Sequence, residues 1–404
     1  MKKLVLSVLL FLYATLCYAH ETHPKHPAPG ISAIDVVFDT TGNLWRVSVH
    51  DGYLWVDKSA DLGKTFSAPI KVNPTAQKIG SNNEARPDIA LDTNNHIYVT
   101  WTQNLNARFA GYIWFARSID AGKSFEKPYI VHQDRAEITH AFNALNVSPS
   151  GKIVVTWIDK RDAVQAKKAG KKYDAAAIYY AVSNDHGKSF AVEKKLADSS
   201  CECCRIATAN KPDGTTALLW RHVFEGSERD HMIAQIPPEN SKPELHRSTF
   251  GHWKIDGCPH HGGALASAGS GKDWWGYHMA YFDGNDTKPG LYYSRMDGIA
   301  WASSPAKKFG HNENQAGHPA ILSLDDKTSG EQVWLVWREI EAKSHQIIGM
   351  FSKDGGRSWS DSKVLASTTD KADYPILLAK DNQAYLLWNT LKDGLKVMHL
   401  TEGN

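Results

Sequence analysis

Short runs of β-branched and aromatic residues, each closing on tryptophan, recur along the chain at 97–101 (IYVTW), 153–157 (IVVTW), 217–220 (ALLW), 334–337 (WLVW) and 385–388 (YLLW). The wide interval between Trp220 and Trp337 holds YHMAY, with Tyr281 in the tryptophan's place. Runs this short between polar turns read as strands rather than helices. Ahead of each lies a second strand that opens on a polar residue or proline, in RPDIALD, FNALNVS, RIATAN, GALASA, HPAILSL and YPILLAK. No helix of convincing length or amphipathic period interrupts the series, and the polar insertion at 162–176 (DAVQAKKAGKKYDAA) reads as an exposed loop.

A turn motif shares the period. SADLGKTF (59–66), SIDAGKSF (118–125), SNDHGKSF (183–190) and SKDGGRSW (352–359) all read Ser-x-Asp-x-Gly-x-Ser/Thr-aromatic, and SRMDGIAW (294–301) is a copy that has lost a residue. The Asp caps turn amides, the Gly supplies a positive φ, and the aromatic anchors the turn against the sheet. The unit is inner strand, turn, Trp strand, loop, third strand, Asp turn and fourth strand, over roughly 50 to 60 residues, which is the range of a propeller blade. Seven units start near residues 31, 86, 141, 205, 259, 319 and 375. The last lacks an Asp turn and a clear fourth strand, so the N-terminal segment is a candidate to close the ring, and six blades with one fragment is the alternative count.

With its four Asp boxes, the chain resembles the sialidase-like, BNR-repeat β-propellers over essentially all of residues 31–404, which form one all-β domain on this reading. The resemblance implies the fold, and it implies one enzymatic reading. Sialidases of this fold use three arginines to hold a carboxylate, a tyrosine nucleophile helped by a glutamate, and an aspartate as acid/base. The positions here that match are Arg86, Arg221 and Arg338, with Tyr374 as nucleophile, and Arg205 competes for one arginine place. The usual Phe-Arg-Ile-Pro opening is absent, Arg86 standing instead in EARPDIA, and no carboxylate is assigned to the two acid roles.

The alternation of strands also locates the site. In an antiparallel four-stranded blade, the loop leading into the inner strand and the loop after the second strand lie at one end, and the Asp turn lies at the other. The first two loop sets hold Glu84 and Arg86, Glu137, His140 and Asn143, His318, Asp373 and Tyr374, and, after the Trp strands, Asp159 with Arg161, Arg221 and Arg338 with Glu339. They also hold CECCR (201–205) and DGCPHHGG (256–263), in adjacent units. Cys201, Cys203, Cys204, Cys258, His260 and His261 therefore form a candidate set for copper or zinc, because thiolates and imidazoles suit soft and borderline ions. Two other readings of the thiols stay open: structural disulfides, including one bridge beside two free ligands, and a redox dithiol beside Arg205.

Composition narrows the partners. The first residues, MKKLVLSVLLFLYATLCYA, have the basic start, apolar stretch and small residues of a secretory signal over 1–19, followed by a His-containing tail over 20–30. An exported chain, periplasmic or secreted, is the expectation. The full sequence of 404 residues has 46 Lys and Arg against 44 Asp and Glu. Removing Lys2 and Lys3 leaves 44 against 44, so no basic surface for nucleic acid or anionic membrane is implied. No later apolar run reaches the roughly 18 residues of a spanning helix. The expected protein is a monomeric propeller that binds a small molecule, a glycan or a metal ion at a Cys/His/Arg-lined mouth. An exo-sialidase-type hydrolase is the first alternative, and a protein-interaction scaffold stabilised by disulfides is the second.

Overall fold

The computed structural model describes residues 32–403, apart from 83, 174 and 327–329. The signal segment expected over 1–19 and the tail over 20–30 lie outside the described residues. The rest is seven antiparallel sheets in chain order, six of four strands and a last one of three. Their inner strands are Asp35–Phe38, Asp88–Leu91, His140–Val147, Ala207–Asn210, Ala264–Ala268, Gly317–Asp326 and Ile376–Lys380, each within a few residues of the start read from the repeats. Every inner strand touches the next, and the last touches the first. The ring has seven blades, not six.

Both faces of a blade are apolar because each packs against a neighbour. The core is accordingly divided into layers between blades. One layer joins blades one and two through Trp45, Val47, Ile89 and Trp101, and another joins three and four through Ile158, Ile178, Leu218 and Trp220. Trp101, Trp157, Trp220, Trp337 and Trp388 are all fully buried at corresponding places. The layer between blades seven and one is the thinnest, with Ile34, Val36, Leu44, Tyr385 and Leu387 at its centre. No fourth strand completes the last blade among the described residues.

The four intact Asp turns have one geometry. In the first, Ser59 Oγ donates to Asp61 at 2.7 Å and accepts from Gly63 N, while Thr65 N donates to Asp61; Ser118, Ser183 and Ser352 repeat it. The Thr65 and Ser124 hydroxyls hold the Asp61 and Asp120 carboxyls down at about 2. The shortened copy has a different turn, in which Asp297 accepts from Ile299 N and Ala300 N. These turns also touch the preceding blade. A Cβ on Gly122 would stand 2.5 Å from the Trp45 ring, one on Gly187 2.7 Å from Phe115, and one on Gly63 3.0 Å from Val397 of the last blade.

The insertion expected to be a loop contains a helix, Arg161–Lys168, with no buried residue. Its Ala, Gln and Lys residues have good helix propensity. Asp162 in the first turn and Lys167 and Lys168 in the last complement its dipole. Without an apolar face, the segment had no periodic signal by which to be read.

Gly122 and Gly170 both have positive φ, 78° and 68°, but only Gly122 faces a neighbouring blade. Gly170→Ala carries the backbone cost alone, about 1 kcal/mol. Gly122→Ala adds the clash with Trp45, and is expected to lower the thermal unfolding midpoint several times as far. Equal shifts in the two variants would show that the turn does not bear on the preceding blade.

Candidate functional site

The loops leading into the inner strands meet at one end of the ring, and the charges found there are paired across blades. Arg86, before the second inner strand, makes a two-pronged pair with Asp373, before the last: Nη2 donates to Oδ1 at 2.9 Å and Nη1 to Oδ2 at 3.2 Å. Arg86 Nη1 also donates to the carbonyl of Ile34, and Ile34 N faces Asp373. One ion pair thus spans blades seven, one and two.

Tyr374 follows Asp373 and is buried. His318 stacks on its ring with centroids 3.5 Å apart, while Arg86 and Arg338 lie 5.6 and 5.3 Å from the same ring centroid. Arg205 is near enough to act on both Tyr374 and His318 electrostatically, and its Nη2 donates to the carbonyl of Pro319 at 3.0 Å. Glu84 is buried beside them. Its Oε2 accepts from Arg205 N and Gly262 N, and its Oε1 faces His318 Nδ1 at 3.2 Å. Burial, with the Arg338, Arg205 and Arg86 cations, pushes the His318 imidazole well below its usual range. Burial pushes the Tyr374 phenol up, against the pull of Arg338.

Arg338 differs from its neighbours. Among the described residues its side chain has no carboxylate within ion-pair distance and no hydrogen bond, and its Nε is a buried donor without a partner. Burial lowers its pKa from the usual guanidinium value. A donor taken out of water without a partner is costly, and the Arg338 Nε is such a donor.

The remaining arginine of the sequence reading sits elsewhere. Arg221 is 2% exposed, with Nη1 on the carbonyl of Arg229 and Nη2 on those of His261 and Phe282. It braces blade four against blade five. The three guanidinia around Tyr374 are Arg86, Arg205 and Arg338. Two carboxylates at the ends of Trp strands are also occupied: Asp159 accepts from Trp157 Nε1 and Arg161, and Glu339 accepts from Trp337 Nε1 and His311 N.

All four cysteines of the described chain are free thiols, so no disulfide is formed. Cys201 Sγ lies 3.8 Å from both Cys203 Sγ and Cys204 Sγ, well beyond the roughly 2.05 Å of a sulfur–sulfur bond. Cys258, from the next blade's loop, reaches the Cys203 thiol. His261 is not with them. Its ring stacks on Phe282 at 4.1 Å and approaches His318 at 5.3 Å.

No family model and no curated protein matches the sequence. Solved structures do match. The PL25 ulvan lyase bound to -[GlcA(1-4)Rha3S]- aligns over 93% of this chain and 92% of its own, with a TM-score of 0.54 and 11% identity. The Hadza microbial sialidase Hz136 aligns over 88% of this chain and 74% of its own, with a TM-score of 0.50 and 12% identity. The chain is a sialidase-like β-propeller in fold. At such identities the likeness extends to the propeller fold and not to the side chains of its mouth.

One polar group of this propeller was not singled out from the sequence. Asp35 and Asp88 open the first two inner strands at corresponding places, and that recurrence was the available signal. Asp35 accepts from Ile89 N, and Asp88 accepts from Asn143 Nδ2, which also donates to the carbonyl of Arg86. Burial raises Asp35 from 3.8 to about 6. The fold therefore favours the neutral acid: the contribution of Asp35 to stability is complete below about pH 4 and is lost as pH rises through 6. Asp35→Asn is expected to remove a decline of about 1 to 3 kcal/mol between pH 4 and 7, measured by denaturant unfolding across that range. An unchanged slope would show that Asp35 is ionised in the folded ring.

Proposed function

We propose that the mouth of this propeller recognises an acidic sugar, whose carboxylate sits on Arg338 with Arg205 beside it. The observation that carries this is the Arg338 guanidinium, half-buried beside the Tyr374 ring, with its Nε buried and unpartnered and no carboxylate paired to it among the described residues. Arg86 is held by Asp373 and serves to fix the floor, whereas Arg338 and Arg205 have charge left to offer. The ligand named with the ulvan lyase contains a uronate, so the same scaffold holds an acidic glycan in that protein. Export through the segment at 1–19 belongs with this reading, since it would bring the mouth to extracellular or periplasmic glycans.

The enzymatic form of the proposal is glycoside hydrolysis of sialidase type. Tyr374 is its nucleophile, and Glu84 lies on the far side of the His318 ring that stacks on it. The binding form needs only the arginines. The reading of the mouth as a copper or zinc site rests on other side chains, the thiols.

Calorimetric titration with sialyllactose and with a glucuronate-containing oligosaccharide is expected to show binding to at least one. Arg338→Ala should weaken it by roughly 10- to 100-fold, the worth of one charge-assisted hydrogen-bond pair. Tyr374→Phe separates the two forms: it leaves binding largely intact and abolishes sugar release if the protein is a hydrolase. Full affinity in Arg338→Ala, or no binding of either glycan, would remove the proposal.

A further inference from the structure

Three of the four thiols form the most closely grouped set of soft donors in the described chain. Two other groups have metal-ligand composition, and both are already occupied. Asp92 Oδ2 accepts from His96, His186 and Tyr98 together, and Arg247 fills the space between Glu228 and Asp230. The sulfurs of Cys201, Cys203 and Cys204 lie within 4.8 Å of one another.

Their spacing is informative. With a metal–sulfur bond of about 2.3 Å, a tetrahedral site has sulfur–sulfur edges of about 3.8 Å. The two edges from Cys201 are both 3.8 Å. The three side chains are 2 to 5% exposed and walled by Phe142 and Val223, so they face no substrate groove. Cys258 is exposed and neighbours Cys203 from the opposite loop, outside the close three-sulfur group, which places a fourth donor on the side from which an ion would enter. The charge of a thiolate set is also provided for: the Arg221 and Arg229 cations act on Cys201, and both are anchored by backbone carbonyls.

We propose that Cys201, Cys203, Cys204 and Cys258 bind one thiophilic d10 ion, Zn(II) or Cu(I), as an all-sulfur site that clips the loop before blade four to the loop before blade five. The four donors leave no position for substrate, so the site is structural or a metal store rather than catalytic. It has a mechanical consequence for the mouth. Arg205 follows Cys204, and Gly262 lies four residues beyond Cys258; their N–H groups are the two that Glu84 Oε2 accepts. An ion joining the loops holds those donors in register, and with them Glu84 against His318.

The test uses the protein purified anaerobically, fully reduced and stripped of metal. Co(II) titration is expected to give the sulfur-to-cobalt charge-transfer bands of a tetrahedral thiolate site, saturating at one ion per chain. Displacement by Zn(II), and separately by Cu(I) held in a chromophoric chelator, shows which ion the site prefers. Cys203→Ser should weaken binding at least 100-fold. Cys258→Ser, at an exposed position that leaves the buried core intact, should weaken it at least 10-fold while its unmetallated form keeps the parent's unfolding midpoint. Three results would each overturn the proposal: four reactive thiols with no ion bound, equal affinity in both variants and the parent, or fewer than four thiols after metal removal and denaturation, which would mean a disulfide.

Discussion

Closure of the ring is the constraint on which the molecule depends. Each blade is apolar on both faces, so an open arc of seven would leave two faces in water. The last face meets the first through a thin layer, Ile34, Val36 and Leu44 against Tyr385 and Leu387. That seam is reinforced by polar contacts: Asp373 binds Arg86, Arg86 binds the carbonyl of Ile34, and Gly63 of the first Asp turn lies flush against Val397. Removing either member of the ion pair would leave a largely buried charge at the weakest layer.

The same pair sets the floor of the mouth, so closure and recognition share residues. Tyr374 takes its position from Asp373, whose Oδ1 accepts from Tyr374 N. His318 packs on Tyr374, Glu84 faces His318, and the loops before blades four and five hang on Glu84. The chain of contacts runs around the axis from blade seven to blade five and ends beside the thiols. Arg338 stands in its midst with no carboxylate paired to it among the described residues.

Much of the architecture was legible because it is local and repeated. The Asp turns are decided by hydrogen bonds within eight residues, and the Trp strands by burial on both faces. The bunching of Glu84, Arg86, His318, Asp373 and Tyr374 at one end followed from strand alternation alone. The helix at Arg161–Lys168 was not legible, since it buries nothing and so carries no apolar period.

The sequence by itself determined that this protein is a ring of short sheets, where its blades begin, and which loops gather at the mouth. Only the tertiary structure decided what each charged side chain does there. Arg205, just before the inner strand of blade four, and Arg221, at the end of its second strand, stand at the same end of one blade, yet one acts on Tyr374 and the other is spent on carbonyls of blade five. His261 belongs with His318 rather than with the thiols, and Asp159 and Glu339 belong to the indoles of their own strands. The reason is distance along the chain. A turn is fixed by neighbours in sequence, whereas Arg86 and Asp373 are 287 residues apart, and the direction of a side chain at the mouth is set by whichever blade the closed ring brings against it.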